Sequence, residues 1–186
     1  EGDARRIVSG GKRGVQVWDA VAGGKPLLKI KTEGWVEAVT WYDEGDARRI
    51  VSGGKKLLLW DAVEGGAPLL EFEGAGVVFT LTCHSAGDGW HIVSGGRDNA
   101  LHVFDAVKGG APLRKLEGHT SYVSAIACHG EGDKRRYVSA SHDKTVRVWD
   151  VAAGAAARPA VDRHEANVTA LARVGDGRRV VTASED

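Results

Sequence analysis

An aromatic residue followed by aspartate recurs along this chain at nearly constant spacing. The four pairs are Trp18-Asp19, Trp60-Asp61, Phe104-Asp105 and Trp149-Asp150, spaced 42, 44 and 45 residues apart. A Val-Ser segment precedes each pair, and a related Val181-Thr182 segment lies near the end of the chain. Self-similarity at such a period indicates a repeated supersecondary unit that shares one continuous core with its neighbours. We therefore predict one domain over residues 1–186 rather than two.

The best-preserved copy of this unit spans residues 116–150. It contains Gly118-His119, an apolar run over 123–128, a Gly-Asp turn, a Val-Ser strand over 137–141, a turn holding Asp143, and a strand ending in Trp149-Asp150. This pattern resembles one unit of the WD-repeat β-propeller family. The resemblance is strongest over 92–150 and looser over 1–91 and 151–186. It implies an all-β fold in which each repeat forms a four-stranded blade.

The other copies predict the same succession of strands, here lettered a to d. Alternating polarity and turn residues place strand a at 36–41, 78–83, 123–128 and 168–172, and strand d at 27–30, 69–72 and 113–116. Strand b is the Val-Ser segment and strand c ends at the aromatic-Asp pair. In the fourth copy an alanine-rich stretch over 152–157 replaces the usual signal for strand d.

The phase of the repeat predicts an incomplete ring. The approximate units are a partial b-c-d unit over 1–33, complete units over 34–73, 74–117 and 118–162, and a partial a-b unit over 163–186. A propeller protects its strand edges by joining the last blade to the first. We therefore expect about four blades plus a partial one, forming an open arc or part of a larger propeller. Further blades, from the same or another chain, would then complete it.

Composition argues against several classes of partner. Lys and Arg total 25 and Asp and Glu total 25, so the formal net charge is zero and general binding to nucleic acid is not expected. No apolar run approaches the ~18 residues of a membrane span, so we expect no membrane insertion. Cys83 and Cys128 lie 45 residues apart, at equivalent positions of successive units. They are expected to be free thiols in the cytoplasm or another reducing intracellular compartment.

One constellation contains the residue types of a hydrolase triad. These residues are His119, Ser139 and Asp143, with Trp149 nearby in the unit. The family resemblance instead implies a buried structural hydrogen-bond network, to which His164, Thr182 and Asp186 correspond in the last unit. Ser139 lies in mid-strand, and the chain has no Gly-x-Ser-x-Gly elbow. We therefore predict no catalytic site and no enzyme.

Two further patterns suggest ligand sites. Cys83-His84 and Cys128-His129 contain metal-ligating types, but adjacent residues of a strand point to opposite faces, so no metal is expected. No phosphate-binding glycine loop precedes a helix, and no cofactor is expected. Arginine pairs such as Arg48-Arg49 and Arg135-Arg136 recur before strand b. They could bind phosphate or an acidic partner, but charge compensation by the turn aspartates at a solvated rim is favoured.

Members of the resembled family often hold partners on the face where strand d passes into strand a. The corresponding positions are Trp35, Val77, Tyr122 and Asn167. Trp and Tyr are enriched at interfaces, although both residues could instead cover the edge of the core. The loop at Trp35 is three residues shorter than the loop at Tyr122, which predicts that Trp35 is drawn inward.

These features predict a non-catalytic scaffold that presents a rigid propeller surface to other proteins. One alternative is a structural subunit, or a fragment of a longer propeller, within a multiprotein assembly. Another is a propeller enzyme, for which the sequence provides no nucleophile, paired acids or metal set.

Overall fold

A computed structural model describes residues 5–87, 89–132, 135–150, 158–159, 164–174 and 179–185. This part of the chain contains 17 strands and no α-helix. The strands are β1 (Arg6–Gly11), β2 (Gly14–Asp19), β3 (Leu28–Ile30), β4 (Val36–Glu44), β5 (Ala47–Gly54), β6 (Leu57–Asp61), β7 (Gly65–Phe72), β8 (Val78–Ala86), β9 (Gly89–Gly96), β10 (Leu101–Asp105), β11 (Arg114–Leu116), β12 (Val123–His129), β13 (Arg136–Ser141), β14 (Val146–Asp150), β15 (Arg158–Pro159), β16 (Val168–Val174) and β17 (Arg179–Ser184).

The strands form five antiparallel sheets, each built from consecutive strands. Their orders are β1-β2-β3, β4-β5-β6-β7, β8-β9-β10-β11, β12-β13-β14-β15 and β16-β17. We call these sheets blades 1 to 5. The first strands of blades 2 to 5 lie beside one another, and blade 1 packs through β1 and β2 on β4. The sheets are therefore propeller blades stacked face to face, as the all-β prediction required.

The described blades form an open arc, as predicted. No described strand pairs with the free edge of β1 or with the free edge of β17. Blades 1 and 5 also make no extensive contact with each other. The blade at each end of the stack therefore leaves one face uncovered. In the internal blades both faces are covered by neighbouring blades.

The hydrophobic core lies in the layers between successive blades. In blade 2, Ile50 and Trp60 pack toward blade 1, while their chain neighbours Val51 and Leu59 pack toward blade 3. Similar layers join blade 3 to blade 4 and blade 4 to blade 5. Because both faces of an internal blade are covered, strands such as β5 are buried at consecutive positions rather than alternate ones.

Small residues in the second strand of the repeat allow the blades to approach closely. A Cβ atom added to Gly10 or Gly53 would lie 2.5 Å from Cγ1 of the first valine of the next blade, Val36 or Val78. The same atom added to Gly95 would lie 2.7 Å from Cγ1 of Val123. Glycine at this position therefore sets the distance between neighbouring blades.

Several strands differ in length from the predicted segments. Strands β4 and β8 extend to Glu44 and Ala86, because the hairpin ladder continues past the apolar run used to predict them. Strand β7 begins at Gly65 rather than at residue 69, since Gly65 still pairs with Asp61. Backbone pairing does not require an apolar side chain, so polarity alone underestimates these strands. In the fourth blade, the short β15 pairs with β14.

We predict that Gly53→Ala lowers the free energy of unfolding by about 1–3 kcal/mol, because the new methyl group overpacks the layer against Val78. Urea unfolding would measure the change. Gly11→Ala is the matched control, since a Cβ atom at Gly11 has no atom within 4 Å. Equal destabilisation by the two substitutions would contradict the proposed packing limit.

Candidate functional site

Blade 4 contains a continuous chain of buried side-chain hydrogen bonds. Trp149 Nε1 donates to Ser139 Oγ at 2.8 Å, and Ser139 Oγ lies 2.7 Å from His119 Nε2. His119 Nδ1 lies 2.8 Å from Asp143 Oδ2. If Nδ1–H donates to the carboxylate, Nε2 is free to accept the Ser139 hydroxyl proton, so one tautomer satisfies every group. The structure thus brings together the four residues singled out in this repeat.

Asp143 closes this network at the turn between β13 and β14. It accepts hydrogen bonds from the Thr145 amide and hydroxyl, at 2.9 and 2.6 Å, and from the Thr120 amide at 3.0 Å. Burial raises the pKa of Asp143, but bonds from Thr145, Thr120 and His119 outweigh it and lower the pKa to about 2. Burial lowers the pKa of His119 despite the opposing carboxylate. The pair is therefore a neutral imidazole and a carboxylate at neutral pH.

The same geometry bears on catalysis. Ser139 has no exposed surface, and its oxygen is already bound to both Trp149 and His119. A hydrolytic nucleophile must instead reach a substrate carbonyl from an accessible position. This arrangement ties β13, β14, the loop before β12 and the turn that holds Asp143 together, and it leaves the Ser139 oxygen away from the surface.

The other blades contain only parts of the network. In blade 5, His164 Nε2 lies 2.9 Å from Thr182 Oγ1, whereas Asp186 lies outside the described residues. In blade 1, Trp18 Nε1 donates to Ser9 Oγ at 2.9 Å. In blade 2, Trp60 Nε1 donates to Ser52 Oγ at 2.8 Å. Blades 1 and 2 thus retain the Trp–Ser bond without the His and Asp.

Blade 3 replaces the network with a different pair that the sequence reasoning missed. The Phe104 side chain has no N–H to donate, unlike the tryptophan at this position in other blades. The buried Ser94 hydroxyl has no hydrogen-bond partner in the described part of the chain. Asp98 instead lies 2.7 Å from His102 Nε2, and the His102 ring stacks on Phe104. The four-residue spacing of Asp98 and His102 across a tight turn was the available signal.

A second missed cluster joins blade 3 to blade 4. His84 Nε2 lies 2.8 Å from the Tyr137 hydroxyl, and Arg135 donates to the Ser85 carbonyl and contacts His84 Nδ1. Burial, assisted by the positive charge of Arg135, lowers the pKa of His84 to about 4. Cys83 packs on the opposite face of its strand, as the alternation of side chains predicts, and burial raises its pKa.

The arginine pairs show local charge compensation at Arg48 and Arg49, but the carboxylates come from strands rather than from the turn aspartates, and the expectation of a solvated rim is wrong for Arg135. Arg135 is only 8% exposed because β8 extends far enough to cover it. Arg49 pairs with Asp61 of the Trp-Asp dipeptide at 2.8 Å, and Arg48 pairs with Asp43 at 3.3 Å. The strand ladder places these carboxylates nearer than the turn aspartate Asp46.

The predicted partner-binding residues occupy one repeated backbone position at the edge of the arc. The carbonyls of Val77, Tyr122 and Asn167 accept backbone hydrogen bonds from Arg97, His142 and Glu185. At Trp35 the carbonyl lies so close to Gly54 that a Cβ atom there would overlap it. Each loop is therefore held against the residues that follow the Val-Ser or Val-Thr segment of its blade.

The four side chains at this edge differ in exposure. Trp35 is 61% exposed and Tyr122 is 39% exposed, while Val77 and Asn167 are half-buried. The expectation that Trp35 is drawn inward is wrong, because Gly54 admits the loop backbone and leaves the indole outside. The Tyr122 ring lies 5.7 Å from that of Phe79, and Asn167 donates to Glu185.

The described residues contain no group of three or more metal-ligating side chains. Within the same described ranges, no helix is long and apolar enough to span a membrane.

Comparison with known proteins gives a family match and a structural relative. The protein-family model described as "WD domain, G-beta repeat" matches residues 110–150. The fold is similar to the crystal structure of the computationally designed Ika8 protein (crystal packing No. 1 in P63), with a TM-score of 0.73. The two sequences are 27% identical. The alignment covers 100% of this chain and 54% of that protein, so the chain spans about half of its length. No curated protein sequence matches the chain.

We predict opposite effects for two equivalent serines. Ser139→Ala leaves the Trp149 N–H and a nitrogen of His119 without partners, and should lower the free energy of unfolding by about 1–3 kcal/mol. Ser94→Ala removes a buried hydroxyl that has no partner, and should be neutral or stabilising. Urea titration of both variants tests this, and a similar loss at Ser94 would show that packing, not hydrogen bonding, decides the effect.

Proposed function

Because residues 110–150 carry a WD repeat and the described sheets are propeller blades, we propose that the chain is a non-catalytic scaffold of the WD-repeat type. WD repeats as a family are protein-interaction modules, and the proposed role here is to present a rigid surface to protein partners. The proposal includes no cofactor, metal, nucleic acid or membrane insertion.

The observation that carries this proposal is the edge formed by Trp35 and its equivalents. Exposed Trp35 and Tyr122 stand on loops whose backbones are fixed by the blade beneath them. Aromatic residues of this kind contribute much of the energy at interfaces, and a pre-ordered surface loses little conformational entropy on binding. The edge therefore suits a partner that needs anchoring points at fixed separation.

Two further features support the same role. The Ser139 hydroxyl is sealed inside blade 4, which argues against a triad-type enzyme. Neither Cys83 nor Cys128 forms a disulfide, in keeping with a proposed location in the cytoplasm or another reducing intracellular compartment.

We predict that replacing both Trp35 and Tyr122 with alanine weakens binding to protein partners by roughly tenfold or more, because both anchors are removed. Partners identified by affinity capture and mass spectrometry would be purified, and their dissociation constants measured directly. Trp41→Ala is the control, since Trp41 is also an exposed tryptophan (43%) but lies farther along β4. Equal affinity for the double variant and the Trp41 control would reject this edge as the binding surface.

A second candidate role is favoured by the outer faces of the arc: the chain is a section of a larger propeller, completed by blades of the same or another chain. Ile7 on blade 1 is 54% exposed, although its equivalents Ile50 and Ile92 are fully buried between blades. Val181 on blade 5 is 55% exposed, whereas the equivalent Val93 is fully buried. Both exposed residues lie on faces that a further blade would cover.

We predict that this chain associates with itself through these faces and that Ile7→Glu and Val181→Glu weaken the association, because each places a charge where apolar burial is needed. Sedimentation velocity over a range of concentrations would measure it. Val63→Glu, at an exposed loop position (62%), should leave the association unchanged. A monomer at every concentration would contradict closure by a second copy.

A further inference from the structure

A cavity of about 280 Å³ opens in blade 2 beside Trp35. The Ser52–Trp60 pair forms its floor, and its walls are the loop 31–36, the turn 53–56 and residues 66–68 of β7. This is the part of the blade where the repeat normally places a histidine.

The comparison with blade 4 shows what is missing. Ser52 pairs with Leu58, two residues before Trp60, just as Ser139 pairs with Arg147, two residues before Trp149. In blade 4 the loop preceding the first strand inserts the His119 ring against the serine. In blade 2 a single residue, Trp35, separates Gly34 from Val36, and its side chain is mostly exposed. No ring from the described chain occupies the corresponding space.

This difference leaves a buried hydrogen-bond donor facing the cavity. Ser52 is only 2% exposed, and its oxygen accepts the Trp60 N–H at 2.8 Å. The equivalent hydroxyl in blade 4 lies 2.7 Å from His119 Nε2, which accepts its proton when Nδ1–H donates to Asp143. For Ser52 the described residues provide no acceptor, although a buried hydroxyl without one is costly. An acceptor atom placed in the cavity would satisfy it.

The outer part of the cavity lacks the carboxylate that Asp143 provides in blade 4. Asp143 occupies the turn of blade 4, whereas the turn of blade 2 carries Lys55 and Lys56. Lys56 is paired with Glu71 at 3.1 Å. Lys55, together with Lys31 on the facing loop, has no ion pair among the described residues, and Glu33 is the remaining acid of the lining. The mouth therefore favours a negatively charged group.

We propose that this cavity binds a planar nitrogen heterocycle that carries a carboxylate. The ring takes the place that His119 has in blade 4 and accepts the Ser52 hydroxyl proton, while the carboxylate lies between Lys31 and Lys55. The volume suffices for one ring, since cavities of about 150 Å³ hold benzene. This ligand site goes beyond the scaffold role and does not depend on a protein partner.

The test uses three small probes and the indole N–H signals of the six tryptophans in ¹⁵N-edited NMR. Pyridine-3-carboxylate provides both the ring acceptor and the anion, benzoate lacks the acceptor, and pyridine lacks the anion. Pyridine-3-carboxylate should shift the Trp60 and Trp35 signals and leave Trp149 unchanged. Benzoate and pyridine should bind roughly tenfold more weakly. Absence of binding by pyridine-3-carboxylate, or equal binding by all three probes, would overturn the proposal.

Variants assign each half of the ligand to its partner. Ser52→Ala should remove the preference for pyridine-3-carboxylate over benzoate, and Ser52→Thr should retain it. Lys31→Gln and Lys55→Gln should reduce the preference over pyridine. Ser9→Ala breaks the equivalent Trp–Ser bond in blade 1 and should leave all three affinities unchanged. Affinities insensitive to both Ser52→Ala and Lys55→Gln would place binding elsewhere and reject this site.

Discussion

Face-to-face packing between blades is the interaction on which the rest of this structure depends. Each internal blade buries both of its faces, so neighbouring positions such as Ile50 and Val51 stabilise different layers. That arrangement requires small residues where two blades approach each other. Gly53, which lies against Val78 of the next blade, is one of them. The same arrangement also means that a blade without a neighbour leaves apolar surface in water, as Ile7 does at one end of the arc.

The hydrogen-bond network is a local addition to this packing rather than its foundation. Blades 2 and 3 lack the complete network, yet their shared layer holds fully buried residues including Val51, Ile92 and Phe104. The two blades that lack the complete network differ in what stands in its place. Blade 3 contains the Asp98–His102 pair, whereas blade 2 has Ser52 beneath an open cavity. Buried apolar layers are nevertheless present on both sides of blade 2.

The sequence predicted the parts of this structure that depend on local periodicity. The recurrence of Trp60-Asp61 and its equivalents placed the strands, because each strand's pattern is set within its own repeat. It did not predict the contact of His84 with Arg135 and Tyr137, because those residues lie about one repeat away and meet only through the stacking of two blades. The exposure of Trp35 was also missed, since it depends on the space above Gly54 rather than on loop length.

Because packing within the layers fixes the fold, the loops at the edge can vary without disturbing it. The loop before β12 inserts His119 into its blade, whereas the shorter loop before β4 inserts no ring and lines a cavity beside the exposed Trp35. The shorter loop of blade 2 thus has no residue equivalent to His119 and leaves a pocket beside the exposed Trp35. The repeat describes the frame that all blades share, so chemical specificity must be sought in the blades that depart from it. In this chain, blade 2 is the clearest such departure.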